Sequence, residues 1–262
     1  MGGARELIAL IQRLQDRRER ERSGLLHVEG IAGVLRAHAA GVPIEAVLHD
    51  PILIRSPAAE VFVRKLRKSG VPTWRVGPEA FRTASFTTRA SGLGAVVRQR
   101  WTPLDQVDPG RGTCWLVLER IRSPGNLGTI LRTAEAAGVG GAIFIDPRCD
   151  PHAPLAVRAS MGGLFGLQLV RATPDELARW AAARRVALVA TSPAARQLHT
   201  EAPLPPPVAV LVGDEREGLS ARARALCGSE VRIPVLGRGD SLNVAVAAGV
   251  VLYEVLRRRA PG

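Results

Sequence analysis

Apolar residues open the chain at helical spacing, Leu7, Ile8, Ile11 and Leu14, and give way to a dense mixed-charge tract ending at Arg22. That pattern predicts one amphipathic helix over residues 4–22 with a solvated end, an N-terminal helical extension spanning 1–24. From Leu25 to Arg100 short apolar runs alternate with helical stretches: LLHV, GIAGVLRAHAAG, EAVLHD, SPAAEVFVRKLRKSG, TWRV, PEAFRTAS and GLGAVVRQR. Strand and helix in alternation predict a small α/β layer structure. Residues 101–112 (WTPLDQVDPGRG) carry two prolines and two glycines without periodicity, and read as a linker with a domain boundary near Asp108.

A second alternation follows: CWLVLE, NLGTILRTAEAAG, GAIFID, LAVRASMGG, GLQLVR, TPDELARWAAARR, VALVATS, VAVLVG, LSARARALC, EVRIPV and NVAVAAGVVLYEVLRRR. Here the strand candidates are continuous apolar runs, the pattern of strands covered on both faces. The expected organisation is therefore a small α/β domain over 25–108 and a doubly wound parallel α/β domain over 109–262.

Composition sharpens this picture. Of 262 residues, 46% are hydrophobic, which supplies a core and excludes a disordered chain. The formal charge of +12 attracts polyanions, and nucleic acid is the first partner to consider. A GC-rich genome would raise arginine content by itself, so the distribution matters more than the total. The N-terminal run sets six arginines against four acids and reads as a solvated helix face. Between Arg64 and Arg100, nine basic residues face one acid, Glu79. A solvated surface needs no such asymmetry, and Arg64, Lys65, Arg67, Lys68, Arg75, Arg82 and Arg89 become candidate phosphate contacts. Three scattered cysteines form neither a disulfide ladder nor a zinc spacing, which fits a reducing cytoplasm and no metal. No apolar run reaches membrane-spanning length, and no secretory signal pattern opens the chain.

Dinucleotide and P-loop fingerprints are absent, as is a G-x-S-x-G elbow, and the five histidines fall in no triad or metal spacing. Three other segments place polar residues where a strand meets a helix, the edge at which open α/β sheets hold ligands. In SPGNLGTILRTAEAAG, Asn126 falls at a helix start and Arg132 about a turn and a half further on; taken alone they are an N-cap and a solvated arginine. In VAVLVGDEREGLS, Gly213 leaves room for close backbone approach, Glu215 offers a carboxylate, and Ser220 is positioned to cap a helix. In EVRIPVLGRGDSLNVAVAAG, Ser241, Leu242 and Asn243 open the C-terminal helix, where Ser241 or Asn243 would ordinarily be a cap.

Taken in order, these segments resemble the SpoU, or TrmH, family of RNA 2′-O-ribose methyltransferases in the SPOUT superfamily. The family's first motif is matched by Asn126 and Arg132, its second by Gly213, Glu215, Gly218, Leu219 and Ser220, and its third by Ile233 to Val244. The segment Arg158 to Phe165 (RASMGGLF) also matches in Arg158, Ser160 and Gly162. The N-terminal portion is similar to the ribosomal-protein-L30e-like substrate-binding domain that many members carry, which favours ribosomal RNA over tRNA.

The resemblance implies a trefoil-knotted catalytic domain, a homodimer that completes the active site, and S-adenosylmethionine as methyl donor without a metal. It implies Gly213, Ile233 and Leu242 as backbone contacts to the cofactor, with Leu211, Thr191 and Ser192 closing the pocket. Arg132, Asn126, Glu215, Ser241 and Asn243 are carried over as catalytic residues, and Arg158 joins the RNA contacts. A guanidinium with a pKa above about 12 is a poor general base, so Arg132 is expected to orient phosphate and stabilise developing alkoxide charge. The implied substrate is 23S ribosomal RNA, in a housekeeping or an antibiotic-resistance modification. A non-catalytic RNA-binding or ribosome-protection protein of the same fold is the alternative, and a generic nucleotide-binding enzyme would leave the three motifs unexplained.

Overall fold

A computed structural model describes residues 3–87, 89–146 and 148–259. The chain forms two compact units: one runs to Arg100 and includes His152–Phe165, and the other comprises Trp101–Pro151 and the chain from Gly166 onward. Sequence pattern places the boundary near Asp108 and assigns 152–165 to the C-terminal domain. The structure ends the first unit eight residues earlier, at Arg100, and gathers 152–165 into it.

In the first unit the elements are α1 (Ala4–Arg13), α2 (Arg17–Ser23), β1 (Leu25–Glu29), α3 (Ile31–Ala39), β2 (Ile44–His49), α4 (Pro57–Lys68), β3 (Thr73–Arg75), α5 (Pro78–Ala84) and β4 (Leu93–Arg98). Its sheet has the order β1-β4-β2-β3, antiparallel except for the β2–β3 pair. Leu7, Ile11 and Leu14 of the N-terminal segment are fully buried against Leu48, Phe81 and Val96. The expected single helix breaks after Arg13, and Asp16 caps the second piece by accepting from the Arg18 amide at 2.8 Å. Arg20 is not solvated as the charge run suggests. It is buried, and its Nη1 donates to the carbonyls of Leu14 and Gln15, both at 2.7 Å, satisfying acceptors at the end of α1.

The second unit holds β5 (Trp115–Leu118), α6 (Pro124–Ala136), β6 (Gly141–Phe144), then, after α7 (Pro154–Ala159) of the first unit, β7 (Gln168–Arg171), α8 (Pro174–Arg184), β8 (Ala187–Thr191), β9 (Gln197–Leu198), β10 (Val208–Val212), α9 (Ala221–Ala225), β11 (Ser229–Arg232) and α10 (Val244–Arg259). The strands form one parallel sheet in the order β7-β6-β5-β10-β8-β11-β9. Continuous burial of β5, β6 and β10 follows from helices on both faces, as the unbroken apolar runs predict. Two-residue β9 carries too short a pattern to be read from sequence. The Pro/Gly-rich segment before β5 is no free linker: Val107 is buried in the core of this unit, Trp101 stacks edge-on against Phe144, and the Trp115 indole donates to the Asp108 carbonyl at 3.1 Å. No helix among the described residues is long and apolar enough to cross a membrane.

His27 on β1 is buried with its ring edge-on to Phe86, and burial pushes its imidazole down to about 3. In the unfolded chain the ring takes up a proton near pH 6.5, whereas the folded ring stays neutral. The folded state is therefore favoured fully above pH 6.5 and loses stability as pH falls toward 3, by about 1.4 kcal/mol per pH unit for this one proton. Urea denaturation at pH 5.5 and pH 4.5, well below the unfolded value, should show that slope, and His27→Leu should remove it; equal slopes in both proteins would refute the assignment.

Candidate active site

The polar chemistry of the second unit collects at the carboxyl ends of its strands. Ser123 caps α6, its Oγ accepting from the Asn126 amide at 3.3 Å. Asn126 is thus released from the capping role that sequence alone allows. Its Nδ2 donates to Glu215 Oε1 at 3.1 Å, and its Oδ1 accepts from Asn243 Nδ2 at 3.2 Å. Asn243 is both cap and site residue, because its Oδ1 accepts from the Ala245 and Val246 amides at the head of α10. Glu215 further accepts from the Ser123 and Arg122 amides, both at 3.2 Å. Burial opposes ionisation of Glu215, but the Asn126 side chain and these amides outweigh it and hold the carboxyl below the usual range. One residue from each of the three motifs therefore meets in a single hydrogen-bonded chain.

The loop that presents Glu215 is closed on itself. Asp214 and Gly218 exchange backbone hydrogen bonds at 3.0 Å, and a Cβ added at Gly213 would collide with the backbone of Gly218 and Leu219. The absent side chain of Gly213 makes room for the protein's own backbone, and Gly213 also lines the cavity described next. Asp214 accepts from the Arg216 and Glu217 amides at 2.8 and 2.9 Å and pairs with Arg122. Burial raises its pKa, yet these donors bring it below the usual carboxylate value. Glu119, buried at the end of β5, accepts from the Ser220 amide at 2.7 Å and its hydroxyl at 2.6 Å. Ser220 in turn caps α9, as its place in the sequence predicts.

Behind this loop lies a cavity of about 290 Å³, lined by Thr191, Ser192, Gly213, Glu215, Ile233, Ser241 and Leu242, all expected from sequence. Leu211 does not line it: the residue is buried in β10, and its carbonyl accepts from Thr191 Oγ1 at 2.8 Å, bracing the wall from behind. Sequence reasoning missed Asp214, Glu217 and Arg224, which also face the cavity. Arg224 reaches Ser192 Oγ at 3.4 Å and pairs with Glu230 at 3.1 Å. Charged residues on glycine-rich turns were the only available signal, and Glu119 gave none beyond its position at a strand end. No group of three metal-ligating side chains occurs among the described residues.

Arg132 stands apart from this network. Six residues at about 100° each turn it some 240° around α6 from Asn126. It is exposed and has no hydrogen bond or ion pair among the described residues. The adjacent Thr133 approaches Gly249 of α10, where Val246 and Tyr253 are also exposed. In the first unit, Arg64, Lys65, Arg67 and Lys68 are exposed along α4, and Arg75 and Arg67 lie near enough to His49 to depress its pKa further, after burial. Arg82 is tied to Glu79 at 2.7 Å, and Arg98 to Glu45. Arg89 and Arg158 come together in the first unit.

The model of the SpoU rRNA methylase family matches residues 113–253. The chain belongs to this family. A second model, the MRM3-like substrate binding domain, matches residues 6–95, so the SpoU domain follows a substrate-binding one, as the resemblance implies. Among relatives, a Streptomyces viridochromogenes protein named 23S rRNA (uridine(2479)-2′-O)-methyltransferase is 32% identical over 95% of this chain and 88% of its own. A Bacillus subtilis protein named 23S rRNA (guanosine(2553)-2′-O)-methyltransferase RlmP is 25% identical over 93% of each chain. The crystal structure of an AdoMet-bound rRNA methyltransferase from Sinorhizobium meliloti superimposes with a TM-score of 0.88 at 31% identity, covering 97% of this chain and 95% of the other. The α/β fold with a parallel sheet is that of the SpoU neighbours.

In this SpoU domain, Gly213→Ala should cost about 1–3 kcal/mol of stability, since the added methyl must displace backbone. Urea denaturation followed by circular dichroism measures it, and a variant as stable as the parent would show that the loop does not close on Gly213.

Proposed function

We propose that this chain is an S-adenosylmethionine-dependent methyltransferase acting on ribose 2′-hydroxyls of RNA, with 23S ribosomal RNA as its substrate, in the cytoplasm. The observation that carries the reading is the Glu215–Asn126–Asn243 chain beside the 290 Å³ cavity of a SpoU domain. A protein that only binds RNA has no use for three motif residues held in register, which is the argument against the non-catalytic alternative.

The cavity suits the cofactor chemically. Ile233, Leu242 and Val251 give apolar wall for a purine, Asp214, Glu215 and Glu217 give negative charge for a sulfonium, and Arg224 gives positive charge for a carboxylate. When bound, S-adenosylmethionine supplies an electrophilic methyl group on that sulfonium. Glu215 is held ionised by its donors and works as a fixed hydrogen-bond acceptor, since a carboxyl with a lowered pKa is a weak proton acceptor at neutral pH. Asn126 and Asn243 fix its orientation. Ser241, exposed at the rim, is placed to meet the ribose. The loops at 213–220 and 233–243 converge on one cavity, and threading of this region into a trefoil knot belongs to the proposal.

Homodimerisation belongs to it as well. Val246 and Tyr253, 54% and 49% exposed, lie seven residues apart on α10 and share one stripe, and Thr129, Arg132 and Ala136 form a parallel exposed stripe on α6. Pairing of two copies through this face would cover the apolar side chains and turn Arg132 toward a partner's site, where its unpaired guanidinium stabilises charge on the 2′-oxygen. The exposed α4 cluster supplies sequence-independent phosphate contacts.

The primary test is transfer of labelled methyl from S-adenosylmethionine to 23S RNA, with the modified ribose mapped by resistance to alkaline cleavage; cofactor binding without transfer to any RNA would overturn the reading. Arg132→Ala should retain cofactor affinity by calorimetry while the single-turnover rate falls about 10²-fold. Arg132→Lys should recover little, because the planar fork is lost. A near-normal rate for Arg132→Ala would remove it from the chemistry.

A further inference from the structure

A second cavity, of about 220 Å³, lies wholly within the first unit. Its walls come from the start of α3, from Thr87, Arg89 and Ser91, and from α7 with the turn after it. Gly162 draws the walls together: at φ +84°, its missing Cβ would lie 2.9 Å from Arg36 Cβ and 3.2 Å from Gly33 Cα. Ser160 is buried beneath and shapes the turn, donating to the Val157 carbonyl at 2.7 Å and accepting from the Gly162 amide at 3.3 Å. This is the structural content of the RASMGG segment, which the SpoU active site leaves unused.

Three features of the cleft point to a ligand. Arg89 and Arg158 line it, are exposed, and have no ion pair among the described residues. Glu29 also lines the cleft and accepts from the Ser85 hydroxyl at 2.9 Å, the Ser91 amide at 3.0 Å, and more distantly the Phe86 amide and Thr87 hydroxyl, so it braces the loop, and the two arginines outnumber its one negative charge. A smaller pocket that shares Glu29, Thr87, Val157 and Arg158 with this cleft is lined by His27, which is 5% exposed and whose Nδ1 has no hydrogen-bond partner among the described residues. A buried polar atom without a partner is uncommon in a folded protein and marks a place where one is missing. Ala32 and the half-exposed Met161 give the remaining wall an apolar surface.

We propose that this cleft holds one unpaired nucleotide of the RNA substrate, its base against Ala32 and Met161 and its phosphate between Arg89 and Arg158. The proposal rests on RNA being the substrate and specifies how a part of it is read. A volume of about 220 Å³ lies below the roughly 300–1,000 Å³ of pockets for drug-sized ligands and suits a single base. Bases splayed out of single-stranded RNA are the kind that proteins read by stacking and edge contacts, whereas duplex grooves would not admit this depth.

The test uses the full chain and a fluorescein-labelled single-stranded RNA decamer of mixed sequence, with a ten-base-pair RNA duplex as comparison, read by anisotropy over a salt series. Ala32 and both arginines are exposed, so Ala32→Trp and the double variant Arg89→Ala/Arg158→Ala should fold as the parent does. Ala32→Trp fills the cleft and should weaken single-strand binding about tenfold with an unchanged salt slope. The double variant should weaken it and flatten the slope by up to about 0.7 per lost phosphate contact. Duplex binding should change less in Ala32→Trp than single-strand binding. Wild-type affinity for the single strand in Ala32→Trp, or a parent protein that prefers the duplex, would overturn the proposal. Calorimetry with S-adenosylmethionine on the same proteins separates the two readings: normal cofactor binding with no effect of Ala32→Trp sinks the cleft alone, and absent cofactor binding sinks the methyltransferase reading while the RNA measurements still decide the cleft.

Discussion

The arrangement of the SpoU site depends on the hydrogen bonds converging on one carboxylate. Glu215 draws in the amides of Arg122 and Ser123, which belong to the turn entering α6, together with the Asn126 side chain from the first exposed face of that helix. Hydrogen bonds to an ionised acceptor are roughly twice as strong as neutral ones, and here they also lie where the dipole of α6 favours negative charge. Through Asn126 the same carboxylate fixes Asn243, and through Asn243 the first turn of α10. Removing the charge would therefore release two helix starts and a loop at once, which is why a partly exposed residue can matter more than a buried leucine.

The loop around Glu215 needs a second kind of support, because a turn that carries three acids would repel itself. Arg120 and Arg122 answer this by pairing with Glu217, and Arg122 also with Asp214. Buried Asp214 spends its remaining capacity on backbone amides, and buried Glu119 on Ser220. Each buried charge is thus paired or hydrogen-bonded, the condition under which such groups are tolerated. The closure leaves no volume at Gly213, so the cavity behind the loop is bounded by backbone as much as by side chains.

Much of this was legible in the sequence, for identifiable reasons. Continuous apolar runs such as VAVLVG can only be strands buried on both faces, and they became β10 and its neighbours. Polar residues at strand ends stood out against those runs, so Asn126, Glu215 and Asn243 could be named before their contact was known. The misses share one cause, the absence of a local signal. Arg20 looks like its solvated neighbours but is buried by the break between α1 and α2, and the proline-rich segment before β5 is anchored by Trp101 and Val107 without any periodicity. The domain reading of 109–262 is a matter of sequence family and stands beside a different fact, that His152–Phe165 group with the first unit by long-range contacts such as that of Gly162 with Arg36, which no window of sequence displays.

The arginines of this chain divide by what surrounds them, and that division orders their roles. Arg20, Arg120 and Arg122 have carbonyls or carboxylates around them and serve the fold. Arg64, Arg67 and Arg132 are exposed and present guanidinium groups that no ion pair among the described residues neutralises. An unneutralised cation on an open helix face such as that of α4 attracts any phosphate and discriminates little. The same cation beside a shaped cleft, as at Arg89 and Arg158, gains selectivity from the walls and not from its charge. Arg132 belongs to neither group: it does not line the 290 Å³ cavity, yet it stands next to an exposed apolar stripe on α10. Under the proposed pairing, covering that stripe would remove water from around the guanidinium and strengthen its interaction with a developing anion, so the step that would bury Val246 and Tyr253 would also be the step that makes Arg132 useful.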